Sequence, residues 1–455
     1  MLAGAMIVAG WPGIAQYDSV EQFGQVLSGR YDDWHPPVMA RLWSLFFVPG
    51  GGAGPMMAAQ IVCYWLGVGL LAAALATKGR WCPAVLILAI GVLPGFAVWQ
   101  WSVLKDVQMV AAMLAATGIV GWWRLRGGRV PPLAWAIAGA LLAYATLVRA
   151  NALFATVPLA VMLWPHRRWP IRLGAAAVGV IAVLVLTPVI NADLLGATQS
   201  GVKMTEPLFD LAAIAVRTND AQATGIPPAG IEALRRGHCV KTYFWDPLGS
   251  GSCAEAVERL AALPVGQMYM LLAGAALRHP VAYAGHRLAH FNMTERWLVG
   301  RGLIDGWPPP ESQPNTIGLG NPGREASSWI NMTRPLADTP LGWPAVWLAV
   351  ASLGLVEVSR RAASPARDLV CALLVSAVSL EASFIAISIA ADLRYHLWPM
   401  IAAALGVVIL WSERRPTRRF LLVGGGILLL VVASGSAARA ILPPEPASYS
   451  ALLAG

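Results

Sequence analysis

Apolar runs long enough to cross hydrocarbon recur from one end of this chain to the other, and they limit what it can fold into. A spanning helix needs roughly 20 apolar residues, and only helices or closed barrels satisfy every backbone N–H and C=O in lipid. Stretches 56–76, 83–102, 107–123, 133–147, 152–164, 173–190, 342–356, 369–390, 397–411 and 421–434 are nearly free of charge. A barrel would instead show short segments of alternating polarity. Of the 455 residues, 57% are hydrophobic and 13% charged, roughly half the charged share of a soluble domain. The chain reads as an all-α polytopic membrane protein.

Charge placement sets the orientation. The net charge is +9, and the basic residues gather in short loops: Lys78/Arg80, Arg124/Arg126/Arg129, Arg167/Arg168/Arg172, Arg360/Arg361/Arg367 and Arg414/Arg415/Arg418/Arg419. Loops of this kind stay cytoplasmic. The excess charge is therefore a topology signal, and nucleic acid is not an expected partner. Residues 38–48 are too few for a span and read as an amphipathic helix lying in the outer interface. Arg41 on it is expected to face headgroups or an anionic ligand. With that choice about eleven spans alternate cleanly, at one per roughly 20 apolar residues. The N-terminus is then cytoplasmic.

Residues 1–15 lack a basic n-region and an A-x-A site and do not read as a signal peptide. The apolar run at 2–13 is short for a span. It is expected to be thin or tilted, or to continue a chain that starts upstream. Three regions follow from this: an N-terminal transmembrane module at 1–190 with its first outer loop at 14–55, an outer segment at 191–340, and a C-terminal transmembrane module at 341–455. The outer segment is too polar to span, and an amphipathic helix pair is expected over 265–290. No internal repeat of the transporter kind is evident.

Residues 17–37, YDSVEQFGQVLSGRYDDWHPP, hold Asp18, Glu21, Asp32, Asp33 and His35 between apolar runs. Such charge beside a membrane is costly unless it sits in water or in a site. The topology puts it on the outer side with Lys105, Asp106, Arg149, Asn151, Asp392, Arg394, Tyr395 and His396. Each of these lies at the outer end of a span or in an outer turn. A carboxylate there can take a proton from a hydroxyl or amine. Cations can neutralise a departing phosphate, Arg with a planar fork and Lys as a point charge; Lys105, Arg149 and Arg394 are the candidates.

Plainer readings stand beside these. Lys105–Asp106 is equally an interface pair in which Asp106 caps the next helix, and Arg149 is equally a snorkelling anchor. One of Asp32 and Asp33 reads as a turn residue, and His35 as a hydrogen-bonded loop histidine. No zinc spacing is present. A Mg²⁺ or Mn²⁺ ion on carboxylates has no support in the sequence, so no cofactor is expected. Cys63, Cys82 and Cys371 fall in or beside apolar helices and read as packing residues. Cys239 and Cys253 lie in the outer segment, where an oxidising compartment lets them pair; the alternative is two free thiols. The N-x-[ST] matches at Asn292 and Asn331 are of a kind that arises by chance.

Several motifs, taken in order, resemble the bacterial GT-C glycosyltransferases, including the lipid A aminoarabinose and protein O-mannosyl transferase relatives. They are the acid after the first helix, Asp33-Trp34-His35-Pro36-Pro37, Leu104-Lys105-Asp106, Leu147-Val148-Arg149-Ala150-Asn151, and Asp392-Leu393-Arg394-Tyr395-His396-Leu397-Trp398-Pro399. The segment His279-Pro280, Tyr283 and His286-Arg287 resembles the family's outer loop. Each motif alone is weak; their order and shared sidedness carry the likeness across most of the chain.

The resemblance implies a GT-C bundle with interfacial helices in its first outer loop. It implies a donor sugar on a polyprenyl phosphate, a lipid or glycan acceptor, and transfer on the periplasmic face of the bacterial inner membrane. Asp18 matches the family's catalytic acid best, Asp33 second, with Glu21 a further candidate. The short first helix and the lower span count depart from the pattern. Two rivals remain. A transporter or flippase of lipid-linked saccharides should show internal symmetry and broken mid-membrane helices. A non-catalytic assembly protein would leave the one-sided polar set unexplained.

Overall fold

The computed structural model describes residues 1–164, 168–446 and 448–454; Arg167 of the third basic cluster lies outside them. The chain opens with α1 (Leu2–Gly10), α2 (Tyr17–Ser28), β1 (Tyr31–Asp32), α3 (Pro37–Leu45) and α4 (Gly54–Ala76). Next come α5 (Trp81–Val92), α6 (Pro94–Ala97), α7 (Lys105–Leu125), α8 (Pro132–Val148), α9 (Leu153–Leu163), α10 (Trp169–Val189) and β2 (Ala197–Thr198). The polar middle holds α11 (Thr205–Thr218), α12 (Ala221–Thr224), α13 (Pro228–Arg236), α14 (Gly251–Ala261), α15 (Val265–Arg278) and α16 (Pro280–Thr294). The order ends with α17 (Arg324–Thr333), α18 (Pro344–Ser359), α19 (Pro365–Ile387), α20 (Leu397–Glu413), α21 (Arg418–Ile441) and α22 (Tyr449–Ala454).

Two compact units divide these elements, and both are discontinuous in sequence. The first comprises Met1–Gln199, Gly306–Glu381 and Leu393–Val432; the second comprises Ser200–Asp305, Ala382–Asp392 and Ala433–Gly455.

Among the described residues six helices are long and apolar enough to cross a membrane, or up to eight if each of two bent pairs counts as one span. The protein is nearly all-α and multi-pass. The expected eleven spans correspond to those six, the bent pair that begins with α5, α1, and the shorter apolar helices α8, α9 and α18. The last three fall below the length that marks a span, and α1 has 9 residues.

The expected straight span over 83–102 is broken. Pro94 has no N–H to continue the helix, and it biases Leu93 away from helical geometry. The chain bends by 54° there and finishes in a 3-10 turn, Val98–Trp101. Unwound backbone needs partners when it is buried in apolar surroundings. Gln60 on α4 supplies them: its Nε2 donates to the carbonyls of Gln100 (2.8 Å) and Ser102 (2.9 Å). Gln108 Nε2 on α7 donates in turn to Gln60 Oε1 at 2.8 Å.

α4 and α7 form the axis of the first unit. They touch backbone to backbone where Gly67 faces Gly118. A Cβ added at Gly118 would lie 2.6 Å from the Gly67 Cα, and one at Gly67 2.3 Å from the Leu114 carbonyl carbon. Close approach through small residues is the usual basis of helix association in membranes. At the opposite extreme, α10 leaves Val178, Ile181, Leu184 and Val185 exposed, as a face toward lipid would.

In the second unit, α11 is the centre of an apolar core that includes Phe209, Ile214, Ile231, Leu234, Val257 and Met268. Cys239 and Cys253 are joined in a disulfide across 5.6 Å between Cα atoms. The expected helix pair over 265–290 is α15 followed by α16. On α16, Arg287 pairs with the fully buried Asp210 and donates to the Ser388 carbonyl at 2.7 Å. Burial lowers the His286 imidazole, against the opposing pull of its hydrogen bond to Asp210.

Candidate functional site

The acidic stretch expected as a loop begins with a helix. Gln16 and Ser19 cap α2 reciprocally, in the manner of a capping box, and this puts Asp18 in the first turn. The segment before it is tied to the residues that lead into α7. Ile14 N donates to the Trp101 carbonyl (2.7 Å) and Val103 N to the Ile14 carbonyl (3.0 Å). Ser19 Oγ donates to the Val103 carbonyl at 2.6 Å. These bonds hold the start of α2 against the start of α7, so Asp18 meets Lys105.

The cluster built on this contact draws from five places in the first unit. Asp18 Oδ2 lies 3.6 Å from Lys105 Nζ and 3.5 Å from an Arg394 nitrogen. Asp106, in the first turn of α7 and fully buried, pairs with Arg149 and lies 3.6 Å from Arg394 Nε. Arg149 Nε donates to Asn151 Oδ1 at 2.7 Å. The Tyr395 ring lies under both guanidiniums, with centroids 3.9 Å from Arg149 and 5.5 Å from Arg394. Lys105 Nζ reaches His35 Nδ1 at 2.8 Å, and His35 is 3% exposed.

Three positive charges, on Lys105, Arg149 and Arg394, thus gather around the carboxylates of Asp18 and Asp106. His35 adds none. Burial, followed by the Lys105 ammonium, lowers its imidazole from 6.5 to about 3, although Asp18 pulls the other way. Because Lys105 donates to Nδ1, the neutral ring carries its proton on Nε2. Burial alone would raise the Asp18 carboxyl. Arg394, then Lys105 and Arg149, outweigh it and hold the acid well below the usual carboxylate range.

The remaining candidates fall elsewhere. Glu21 is exposed on α2 beside Tyr17. Asp32 Oδ1 accepts from Trp34 N at 3.0 Å, a turn role, while Asp33 N donates to the Thr198 carbonyl at 3.0 Å. Asp392 belongs to the second unit, where the Tyr243 hydroxyl donates to it at 3.4 Å. His396 Nδ1 lies 2.7 Å from Glu381 Oε2. Arg41 is not left for headgroups: its Nε donates to the Leu195 carbonyl at 3.0 Å, and it stacks 3.8 Å above Tyr31.

An apolar groove of about 450 Å³ opens between α8 and α9. Trp135 and Trp164 stand at one end, and Ala138, Gly139 and Ala160 make it deep by leaving space. On α8 the lining residues 135, 138, 139 and 142 fall on one helical stripe. The same stripe continues through Thr146 to Arg149, about 10 Å beyond Leu142 at 1.5 Å per residue. Glu381 and Gln60 are two residues that sequence reading passed over. Each is a polar group inside an apolar run, which is itself a signal.

No protein-family model matches the chain, and no curated protein matches it. Among solved structures it is similar to the archaeal oligosaccharyltransferase AglB from Archaeoglobus fulgidus, in complex with an inhibitory peptide and a dolichol-phosphate. The likeness has 14% sequence identity and a TM-score of 0.37, and it covers 96% of this chain and 54% of that one. The chain therefore spans about half the length of that protein.

Proposed function

We propose that this protein is a membrane glycosyltransferase that moves a sugar from a polyprenyl-phosphate donor to a lipid or glycan acceptor, with Asp18 as the base. The observation that carries this reading is the convergence of Lys105, Arg149 and Arg394, far apart in sequence, on the carboxylates of Asp18 and Asp106. A phosphodiester brought among Lys105, Arg149 and Arg394 shares these cations with Asp18 and Asp106. The order of the GT-C-like motifs supports the same reading. On this reading the cluster lies on the periplasmic face of a bacterial inner membrane, at the outer ends of about eleven crossings, some of them short. The groove between α8 and α9 takes part of the polyprenyl chain, on the stripe that ends at Arg149.

In the reaction an acceptor hydroxyl or amine gives its proton to Asp18 and attacks the sugar's anomeric carbon. The bond from that carbon to the phosphate oxygen breaks, and the oxygen leaves with the electron pair. The lipid phosphate gains a negative charge, which Lys105, Arg149 and Arg394 stabilise; fixed charges aimed at developing charge are a large catalytic term. A carboxylate held as low as Asp18 is a weak base. Donor binding corrects this, because the phosphate competes for Lys105 and Arg394 and so raises Asp18 basicity when the acceptor arrives.

The test uses purified protein in liposomes, a labelled polyprenyl-phosphate sugar, and envelope extract as the acceptor source. Label should move from lipid to acceptor in the wild type, and Asp18→Asn should stop transfer while still binding donor. Normal turnover by Asp18→Asn would remove the assignment.

A further inference from the structure

We infer that Glu381 is a positioning residue, fixing through His396 the turn that presents Arg394 and Tyr395 to the anion site. This rests on the reading of Arg394 as a phosphate ligand. α19 carries Arg367 and Asp368 in its first turn and, beyond them, Glu381 as its one acidic or basic side chain. A carboxylate in such a helix is costly unless it is matched by a partner. Glu381 is 0% exposed and lies 2.7 Å from His396 Nδ1, which is also 0% exposed.

His396 closes the four-residue 3-10 turn Leu393–His396. Short 3-10 turns have poor hydrogen-bond geometry of their own, so tertiary ties set their position. Leu393 and Leu397 bury the apolar side of this turn, and Trp398 Nε1 donates to Ser376 Oγ at 2.8 Å. Those ties anchor the backbone. The Glu381–His396 bond adds a directional constraint one residue from Tyr395 and two from Arg394. Arg394 must stay within 3.5 Å of Asp18 and 3.6 Å of Asp106, a fit that a small rotation of the turn would undo.

Two variants separate the roles: Glu381→Gln keeps an oxygen that accepts from Nδ1–H, and Glu381→Leu keeps bulk only. The probe is an isoprenoid phosphate, bound to the purified full-length protein in nanodiscs. Glu381→Leu should weaken binding about tenfold and Glu381→Gln should restore it to within about threefold, a difference near 1.4 kcal/mol per tenfold. In an Arg394→Gln background Glu381→Leu should cost nothing further, because coupled residues are non-additive. Equal losses in both backgrounds, or wild-type binding by Glu381→Leu, would overturn the inference.

A second measurement needs no ligand. With Cys63, Cys82 and Cys371 replaced, a cysteine introduced by Arg394→Cys should react with a soluble thiol reagent about tenfold faster when Glu381→Leu is added, as local opening becomes easier. An unchanged rate would refute the positioning role. A wild type that binds no isoprenoid phosphate would sink the proposed function and leave this second result to decide the inference.

Discussion

Acidification from pH 7.5 to 5 should destabilise the protein through His35. The imidazole titrates at 6.5 when free and at about 3 in the fold, first because it is buried and then because the Lys105 ammonium faces it. Between those values the unfolded chain binds a proton that the folded chain refuses. The stabilisation is therefore complete above about pH 7 and shrinks as pH falls through 6.5, at up to about 1.4 kcal/mol per unit. By pH 5 the loss is about 2 kcal/mol for this one group. His35→Asn removes the titration while its side-chain oxygen still accepts from Lys105. Thermal unfolding in detergent at pH 7.5, 6 and 5 should show the wild type losing about 2 kcal/mol more than the variant over that range. Asp18 does not interfere, because even its unfolded carboxyl titrates near 3.8, below the range measured, so the stability its lowered folded value supplies is still intact at pH 5. His286 contributes with the same sign to both proteins and cancels. Parallel pH profiles for wild type and His35→Asn would refute the argument.

Filling the groove tests the chain-binding part. A Cβ at Gly139 meets nothing within 4 Å, so Gly139→Trp should fold normally; it should raise KM for long-chain donors and leave short-chain donors unaffected. Arg149→Ala leaves the buried Asp106 without its closest partner and should cost about 3–5 kcal/mol by thermal unfolding, as broken buried pairs do. The double change Cys239→Ser with Cys253→Ser opens a loop with a sequence separation of 14. It should cost about 3 kcal/mol in chain entropy, read as a lower melting temperature of the oxidised protein and no further response to reductant.

Much of the helical frame was readable because apolar length and basic loops obey simple rules. The expected runs at 56–76 and 107–123 became α4 and α7 with small shifts at their ends. The run at 38–48 became α3, a 9-residue helix with Met39, Ala40 and Trp43 on its buried side. The break after α5 was marked by Pro94, but its stability depends on Gln60, 40 residues away in sequence, and no local pattern reports that pairing. The same limit applies to the cluster. Sidedness grouped Asp18 with Lys105 and Arg394, but their contact depends on backbone bonds between Ile14 and residues 101–103. Arg41 was misread for the same reason: its carbonyl partner, Leu195, lies 154 residues on. Glu381 showed a clear local signal, one acid within an apolar run, and the run's mean character hid it.

Binding of a lipid phosphate in the cluster is the property on which the proposed activity depends most. The direct measurement is the affinity of the purified protein for an isoprenoid phosphate and for the matching isoprenoid alcohol. It should be made in wild type and in the double variant Lys105→Gln with Arg394→Gln. Charged hydrogen bonds contribute about 1.5–3 kcal/mol each, so the phosphate should bind at least about 100-fold tighter than the alcohol in wild type and lose that advantage in the variant. Equal affinity for phosphate and alcohol in the wild type, or an undiminished preference in the variant, would contradict the account.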